Sequence, residues 1–406
     1  MKIAAIVAEY NPFHNGHKYQ IDRARDLLGK DTAIVVIMSG NYTQRGEVAI
    51  ADKLIRAEAA VQCGVDLVLE LPHPYSMSSA EFFAKSSIEI IDKLGVVDYL
   101  VFGVEDCTLD ELYGYVETTE SEEFRAVLKK LLSNPNYSRL GYPKLCEKAY
   151  SQISKDKNTE KFSTPNNILA VEYLRALRTL KSDIIPTPIT RKGAGYNDSY
   201  IIGEDLQSAS AIRTLIMSND SSAFDYIPEN AKEVFLKAIK SGKMPSDEKR
   251  LSEALITGIR LNSPSLEDSI LDASGGLYNR LTKLSFEANS IQSLMSLAET
   301  KKYTKARIRR AIWNMFFGVT SSEIRKSPAF TQILATSSLG RRVLKRIPKR
   351  TDFHIFNKPS RTKGLGEDVL CQKSRADRAD SVYGLTLPCP NKGGYYLTVT
   401  PYVKEE

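Results

Sequence analysis

The chain has 406 residues, 42% hydrophobic and 26% charged, a composition that excludes a disordered polymer and suits a globular protein of two or three domains. No apolar stretch approaches the roughly 18–20 residues that span a bilayer, the first apolar run is too short for a signal peptide and lacks a cleavage site, and five scattered cysteines without a CxxC pair support neither a disulfide framework nor a zinc site. The formal charge of +7 is unevenly spread: residues 301–363 hold 17 Lys/Arg against two acids, Glu323 and Asp352, while the remainder is net acidic. A cytoplasmic protein with one basic region that meets a polyanion, most simply nucleic acid, is the expectation.

In chain order, strands are predicted at Lys2–Ala8, Thr32–Met38, Leu67–Leu71 and Tyr99–Phe102, where short continuous apolar runs read as buried parallel strands. Between and after them, helical spacing marks Lys18–Leu28, Ala51–Gln62, Ala80–Leu94 and Glu122–Leu132. A helix over Pro165–Leu180, a strand over Ile184–Ile189 and a Ser-capped helix opening at Ser208 follow. This alternation predicts βαβ units, hence a parallel sheet covered on both faces, with ligands outside the carboxyl ends of its strands. His14, Ser39, Gly40, Pro72 and Gly103 all follow strand ends. Beyond about Glu229 the pattern is mainly helical to Gly318, including Ser252–Arg260 and Ser285–Ala298. The Tyr, Leu and Val runs of Val382–Val403 predict a few strands.

The first strand hands over to the first helix through Glu9-Tyr-Asn-Pro-Phe-His-Asn-Gly-His17. Two of the chain's four histidines thus flank a glycine at the positive end of a helix, beside unpaired backbone N–H groups. Gly16 carries no Cβ to obstruct a ligand. Two imidazoles there can donate to charge building on a transferring phosphoryl group. No GxxxxGK[ST], GxGxxG or GxSxG occurs, so P-loop, dinucleotide and acyl-enzyme readings lose support.

These residues match the HxGH signature of the nucleotidyltransferase superfamily. Together with MSGNYTQRGE (Met38–Glu47), VDLVLELP (Val65–Pro72), SSAEFFA (Ser78–Ala84) and FGVED (Phe102–Asp106), they make the chain resemble, nearly end to end, the bacterial tRNA(Met) cytidine acetate ligase family. The resemblance implies an α/β fold: a Rossmann-like parallel-sheet, HIGH-type nucleotidyltransferase domain over residues 1–220, then a mainly helical, basic, tRNA-binding region over 221–406. It implies that ATP and acetate form acetyl-adenylate, with Mg²⁺ assisting. The acetyl group then passes to the exocyclic amine of the wobble cytidine of elongator tRNA(Met).

The resemblance also implies residue roles. Val7-Ala8-Glu9-Tyr10-Asn11-Pro12-Phe13-His14-Asn15-Gly16-His17-Lys18-Tyr19-Gln20 would wrap ATP, with His14 and His17 catalytic. Gly103, Asn167, Arg191 and Lys192 would also contact ATP, although a turn glycine, a helix-start residue and a solvated cation pair account for them equally. Ser208-Ala-Ser-Ala-Ile-Arg213 resembles the (I)SSTxIR element, which gives Ser210 and Arg213 phosphate roles. Ser39, Gly40, Gln44 and Arg45 would hold acetate, unless Arg45 merely pairs with Glu47 or Asp52. Val104 departs from the family pattern, where a small polar residue is expected.

Lys53 and Arg56 divide evenly between solvent and RNA. In the basic region Lys301, Lys302, Lys305, Arg307, Arg309 and Arg310 precede Trp313 and Phe316 on an amphipathic helix, whose apolar face suits core packing better than a membrane surface. Arg341, Arg342, Lys345 and Arg346 are expected to extend the same tRNA-facing surface. A small-molecule adenylyltransferase is the leading alternative, though it has no use for such a surface. A catalytically inert RNA-binding protein is the other.

Overall fold

A computed structural model of the chain describes residues 1–137, 140–154, 160–190, 207–262, 266, 269–348 and 353–405. Its centre is an eight-stranded sheet: β1 (Ile3–Ala8), β2 (Ala33–Ser39), β3 (Leu67–Leu71), β4 (Tyr99–Val104), β5 (Ile185–Thr190), β6 (Phe330–Thr336), β7 (His354–Phe356) and β8 (Tyr402–Val403). The strand order is β5-β4-β1-β2-β3-β6-β7, with β8 on β6. The first five strands are mutually parallel, and β6 runs antiparallel to β3.

Alternate residues of β1 and β2 feed two cores, one on each face. Ile3, Ala5, Val35 and Ile37 pack toward the helices Ala80–Leu94 and Pro165–Leu180. Ala4, Ile6, Ile34 and Val36 pack toward Asn15–Leu28, Lys53–Gln62 and Glu229–Lys240. Burial on both faces is why these strands read as unbroken apolar runs. The order reverses between β1 and β4, so the crevice at their carboxyl ends is the switch point where such sheets take ligands.

A third core joins the helices Ser252–Leu261, Leu277–Ser285, Ile291–Ala298 and Lys305–Phe317 around Leu255, Leu281, Leu294 and Trp313. It also takes in Tyr42 from the loop after β2. The single helix expected over Ser285–Ala298 is two, because Ser285 ends one helix and Ser290 caps the next.

The last 80 residues differ from expectation. Strand β6 brings the chain back into the sheet, so a boundary near residue 220 does not separate sheet from helices. The strands expected over Val382–Val403 reduce to the two residues of β8. A helix, Glu367–Tyr383, runs into the start of that span, and a short helical turn, Tyr395–Thr398, lies within it. Among the described residues no helix is long and apolar enough to cross a membrane.

Candidate active site

A cleft of about 610 Å³ opens at the carboxyl ends of β1 and β4. Val7 to Asn11, His14, Gly16 and His17 form one wall. Phe102, Gly103 and Glu105 form a second, the residues around Pro165 a third, and Gln207 to Ala209 part of the rim. Gly103 therefore lies where a nucleoside can approach the end of β4.

His14 is the N-cap of the Asn15–Leu28 helix and is nearly fully buried. Its Nδ1 accepts the Gly16 N–H at 3.1 Å, and the Nδ1 of His17 accepts the His14 N–H at 3.2 Å. This reciprocal cap holds the ring centroids 3.8 Å apart, and Tyr10 packs edge-on against His17 at 4.7 Å. Because each Nδ1 is an acceptor, each neutral ring carries its proton on Nε2. The backbone thereby fixes both imidazoles as Nε2–H donors at a helix N-terminus, the polarity that an oxyanion on phosphorus needs.

Behind this wall lies Arg56, fully buried and not facing RNA or solvent. It donates to the carbonyls of Glu9, Ser39, Gly40 and Ala51, tying the end of β1 to the end of β2. Lys53 is equally interior: its Nζ lies 2.7 Å from both carboxylate oxygens of Glu70 and 2.6 Å from Asp380. Burial works against its charge, but Asp380 and Glu70 outweigh burial and raise its pKa. Asn41 completes the cluster, donating to Asp380 and accepting the Lys53 N–H. Nothing in the sequence pattern points to Asp380, which lies 327 residues from Lys53.

The expected acetate residues separate into two pairs. Gln44 and Arg45 line the cleft, whereas Ser39 and Gly40 lie behind it and do not. Gly40 is needed for packing, since a Cβ there would come within 2.6 Å of Glu70 Oε1. Gly46 turns the same loop at a φ of +78°, and a Cβ there would sit 2.9 Å from the Arg310 nitrogen. The loop thus presses directly on the Lys305–Phe317 helix.

That packing corrects the reading of the basic helix. Arg310 is buried against Asp272 at 2.8 Å and reaches the Gln44 carbonyl at 3.2 Å. Arg309 pairs with Glu47 at 2.9 Å and with Glu248 at 3.4 Å. Arg307 and Lys302 donate to the backbone of residues 272–275. Lys305 pairs with Glu299, and Lys301 is exposed.

Arg341, Arg342, Lys345 and Arg346 do not extend this surface. Their helix, Ser338–Arg346, lies at the amino ends of the strands: Gly340 packs on the Asp66 carbonyl and Arg346 donates to that of Met1. The two basic clusters lie at opposite ends of the parallel strands, one near the carboxyl ends and one near the amino ends.

Asn167, Arg213 and Ser210 take the following places. Asn167 is wholly buried beneath the cleft, bonded to the backbone of Glu105 and Lys161, and it positions the wall without lining it. Arg213 holds Glu47 at 2.6 Å and the Asn11 carbonyl at 2.9 Å, so meeting a triphosphate requires it to exchange one acceptor for another. Ser208 caps the Ala209–Met217 helix, with Ser210 Oγ 3.1 Å from its hydroxyl. Arg191 and Lys192 lie outside the described residues. Glu9 lines the cleft, and burial raises its carboxyl above the ordinary range against the Gln44 N–H that it accepts. Sequence reasoning placed Glu9 only among the residues wrapping ATP.

The model of the HIGH Nucleotidyl Transferase family matches residues 1–392. The chain is 34% identical to the tRNA(Met) cytidine acetate ligase of Acetivibrio thermocellus over 374 residues, 89% of each chain. It is 34% identical to that of Clostridium perfringens over 417 aligned positions, 99% of this chain and all of the relative. Its structure is similar to the crystal structure of Thermotoga maritima TmcAL bound with alpha-thio ATP, with a TM-score of 0.89, 27% identity and 99% of both chains covered. The capped histidine pair, the switch-point cleft and these end-to-end matches lead to one conclusion: the chain belongs to the tRNA(Met) cytidine acetate ligase family of HIGH nucleotidyl transferases.

Proposed function

We propose that this protein is an ATP-dependent ligase that activates acetate as acetyl-adenylate and transfers the acetyl group to the exocyclic amine of the cytidine in tRNA(Met). The observation that carries this reading is the imidazole pair, fixed by backbone N–H groups as two Nε2–H donors beside a cleft large enough for a nucleotide. An acetate oxygen attacks the α-phosphorus, a new O–P bond forms, and pyrophosphate leaves with the electron pair of the broken bond. His14 and His17 donate to the equatorial oxygens as charge grows on them. Gln44 and Arg45, on the same cleft, hold the acetate carboxylate, and confinement of the two reactants supplies proximity.

Arg213, freed from Glu47, would grip the β- and γ-phosphates with Ser210 and the capped helix N-terminus. Mg²⁺ would enter as part of the nucleotide substrate. Among the described residues no group of three or more His, Cys, Asp or Glu side chains is arranged to hold a metal. The tRNA phosphates would meet Lys301 and Lys305 on one side of the molecule and Arg341, Arg342 and Lys345 at the amino ends of the strands.

Exchange of labelled pyrophosphate into ATP is the test. It should require acetate and fall at least 10²-fold in His14→Ala, the usual effect of deleting a transition-state donor. Exchange that ignores acetate and needs a phosphorylated small molecule instead would replace this reading with that of a small-molecule adenylyltransferase.

A further inference from the structure

Transfer to cytidine poses a problem that adenylation does not. The lone pair on the exocyclic nitrogen of cytosine is delocalised into the ring, so it is a poor nucleophile and becomes strongly acidic only as the new C–N bond forms. Some group in the cleft must take that proton. The imidazoles are unsuited: each Nδ1 already accepts a backbone N–H, and each Nε2 carries the ring proton. The phenols of Tyr10 and Tyr173, on the same wall, are pushed well above neutrality by burial and stay protonated. Gln44 and Arg45 cannot act as bases.

Among the described lining residues two carboxylates remain, Glu9 and Glu105. Glu105 follows β4 on the side of Gly103, and its Oε1 takes the side-chain N–H of Asn166. Glu9 is placed differently. It ends β1 immediately before Tyr10, which packs on His17, and its Oε1 accepts the Gln44 N–H at 2.7 Å. No other hydrogen bond to the Glu9 carboxylate occurs among the described residues, so Oε2 remains an acceptor in the cleft. Glu9 shares the cleft with the imidazole pair and with Gln44 and Arg45, its hydrogen-bonded neighbour being Gln44 itself.

We propose that Glu9 receives the proton of the cytidine amine during acetyl transfer and, through the same hydrogen bond, admits an exocyclic amine while rejecting a carbonyl oxygen. This rests on the ligase reading above. The nitrogen lone pair forms the C–N bond at the acetyl carbon, the acyl C–O bond breaks, and AMP leaves with its electrons. The proton passes to Glu9 Oε2 and then to water. A carboxylate can accept from the N–H₂ of cytosine, but it faces the lone pairs of O4 in uracil, so uridine is repelled at the same point. Burial raises the Glu9 pKa, which makes its carboxylate a stronger proton acceptor.

The test separates the two half-reactions in the full-length enzyme. Enzyme loaded with ATP and labelled acetate is mixed with tRNA(Met) in a single turnover, and acetate-dependent pyrophosphate exchange is measured in parallel. Glu9→Gln should slow transfer by 10²-fold or more and exchange by much less. Wild-type transfer should rise with pH through the Glu9 titration and then level, and the Gln variant should lose that limb. Transcripts with uridine for the wobble cytidine should compete about tenfold better against Glu9→Gln, whose amide can donate to O4. Glu9→Asp, which keeps the acceptor at shorter reach, should recover part of the transfer rate together with the pH limb. Equal losses in both half-reactions, or an Asp variant no faster than the Gln variant, would overturn the assignment. Wild-type exchange that needs no acetate would be a different failure, that of the ligase reading itself.

Discussion

Replacing Lys53 by Met tests whether a buried charge cluster holds the loop after β2. The Lys53 ammonium sits within 2.7 Å of Glu70 and 2.6 Å of Asp380, and all three side chains are at most 6% exposed. Removing it leaves two carboxylates facing each other in the interior, and breaking a buried ion network by deleting one partner costs about 3–5 kcal/mol. The folded protein can relieve this by protonating Glu70, whose carboxyl burial already pushes upward. The folded state then holds a proton that the unfolded chain releases, so stability of Lys53→Met falls as pH rises through and above the carboxylate range.

Denaturant unfolding at pH 5.5 and pH 8 reads both effects. The triple variant Lys53→Met, Glu70→Gln, Asp380→Asn should regain more than half of the loss, because no uncompensated charge remains. A single variant that loses less than about 1 kcal/mol, set against the 3–5 expected, would refute this account. A triple variant no more stable than the single would do the same.

Two other expectations follow from the description of the fold. Neutralising Arg341, Arg342 and Lys345 together should weaken tRNA binding and make its salt dependence shallower by about 1 for each phosphate no longer neutralised; an unchanged slope would remove this end of the sheet from the RNA interface. His73 is buried between Tyr42 and Phe317 with neither ring nitrogen hydrogen-bonded among the described residues, and burial, aided by Arg375, lowers its pKa from 6.5 to about 3. The unfolded chain therefore binds a proton that the folded one refuses, so His73 draws stability away as pH falls from about 6.5 toward 3. His73→Phe should flatten that limb in thermal melts across the acid range, and melts as steep as those of the parent would contradict it.

The parallel strands β1 to β4 were legible because both of their faces are covered, which forces continuous apolar runs. Strand β6 was not. Its sequence FTQILAT includes Thr331 and Gln332, buried polar residues, and Thr331 donates to the Glu70 carbonyl. A strand that buries polar groups against a partner 261 residues away has no local apolar signature. The Glu367–Tyr383 helix was hidden for a related reason: its inner face carries Lys373 and Asp380 among Val369, Ala376 and Tyr383.

At the site, HxGH announced the histidine pair, since a strand, a turn and a helix start are local events. Residue type misled wherever charge was interior. Lys53, Arg56 and Arg310 look like surface cations in sequence, and only folding supplies Asp380, the strand-end carbonyls and Asp272 to hold them. Arg341 and Arg342 are exposed, but proximity in sequence to residues 301–310 says nothing about which end of a sheet they reach.

The bond between Asn41 and Asp380 ties the loop after β2, which carries Gln44 and Arg45 into the cleft, to a helix 339 residues further along the chain. A variant ending before Glu367 would leave that loop without this anchor, and Lys53 without one of its two carboxylates.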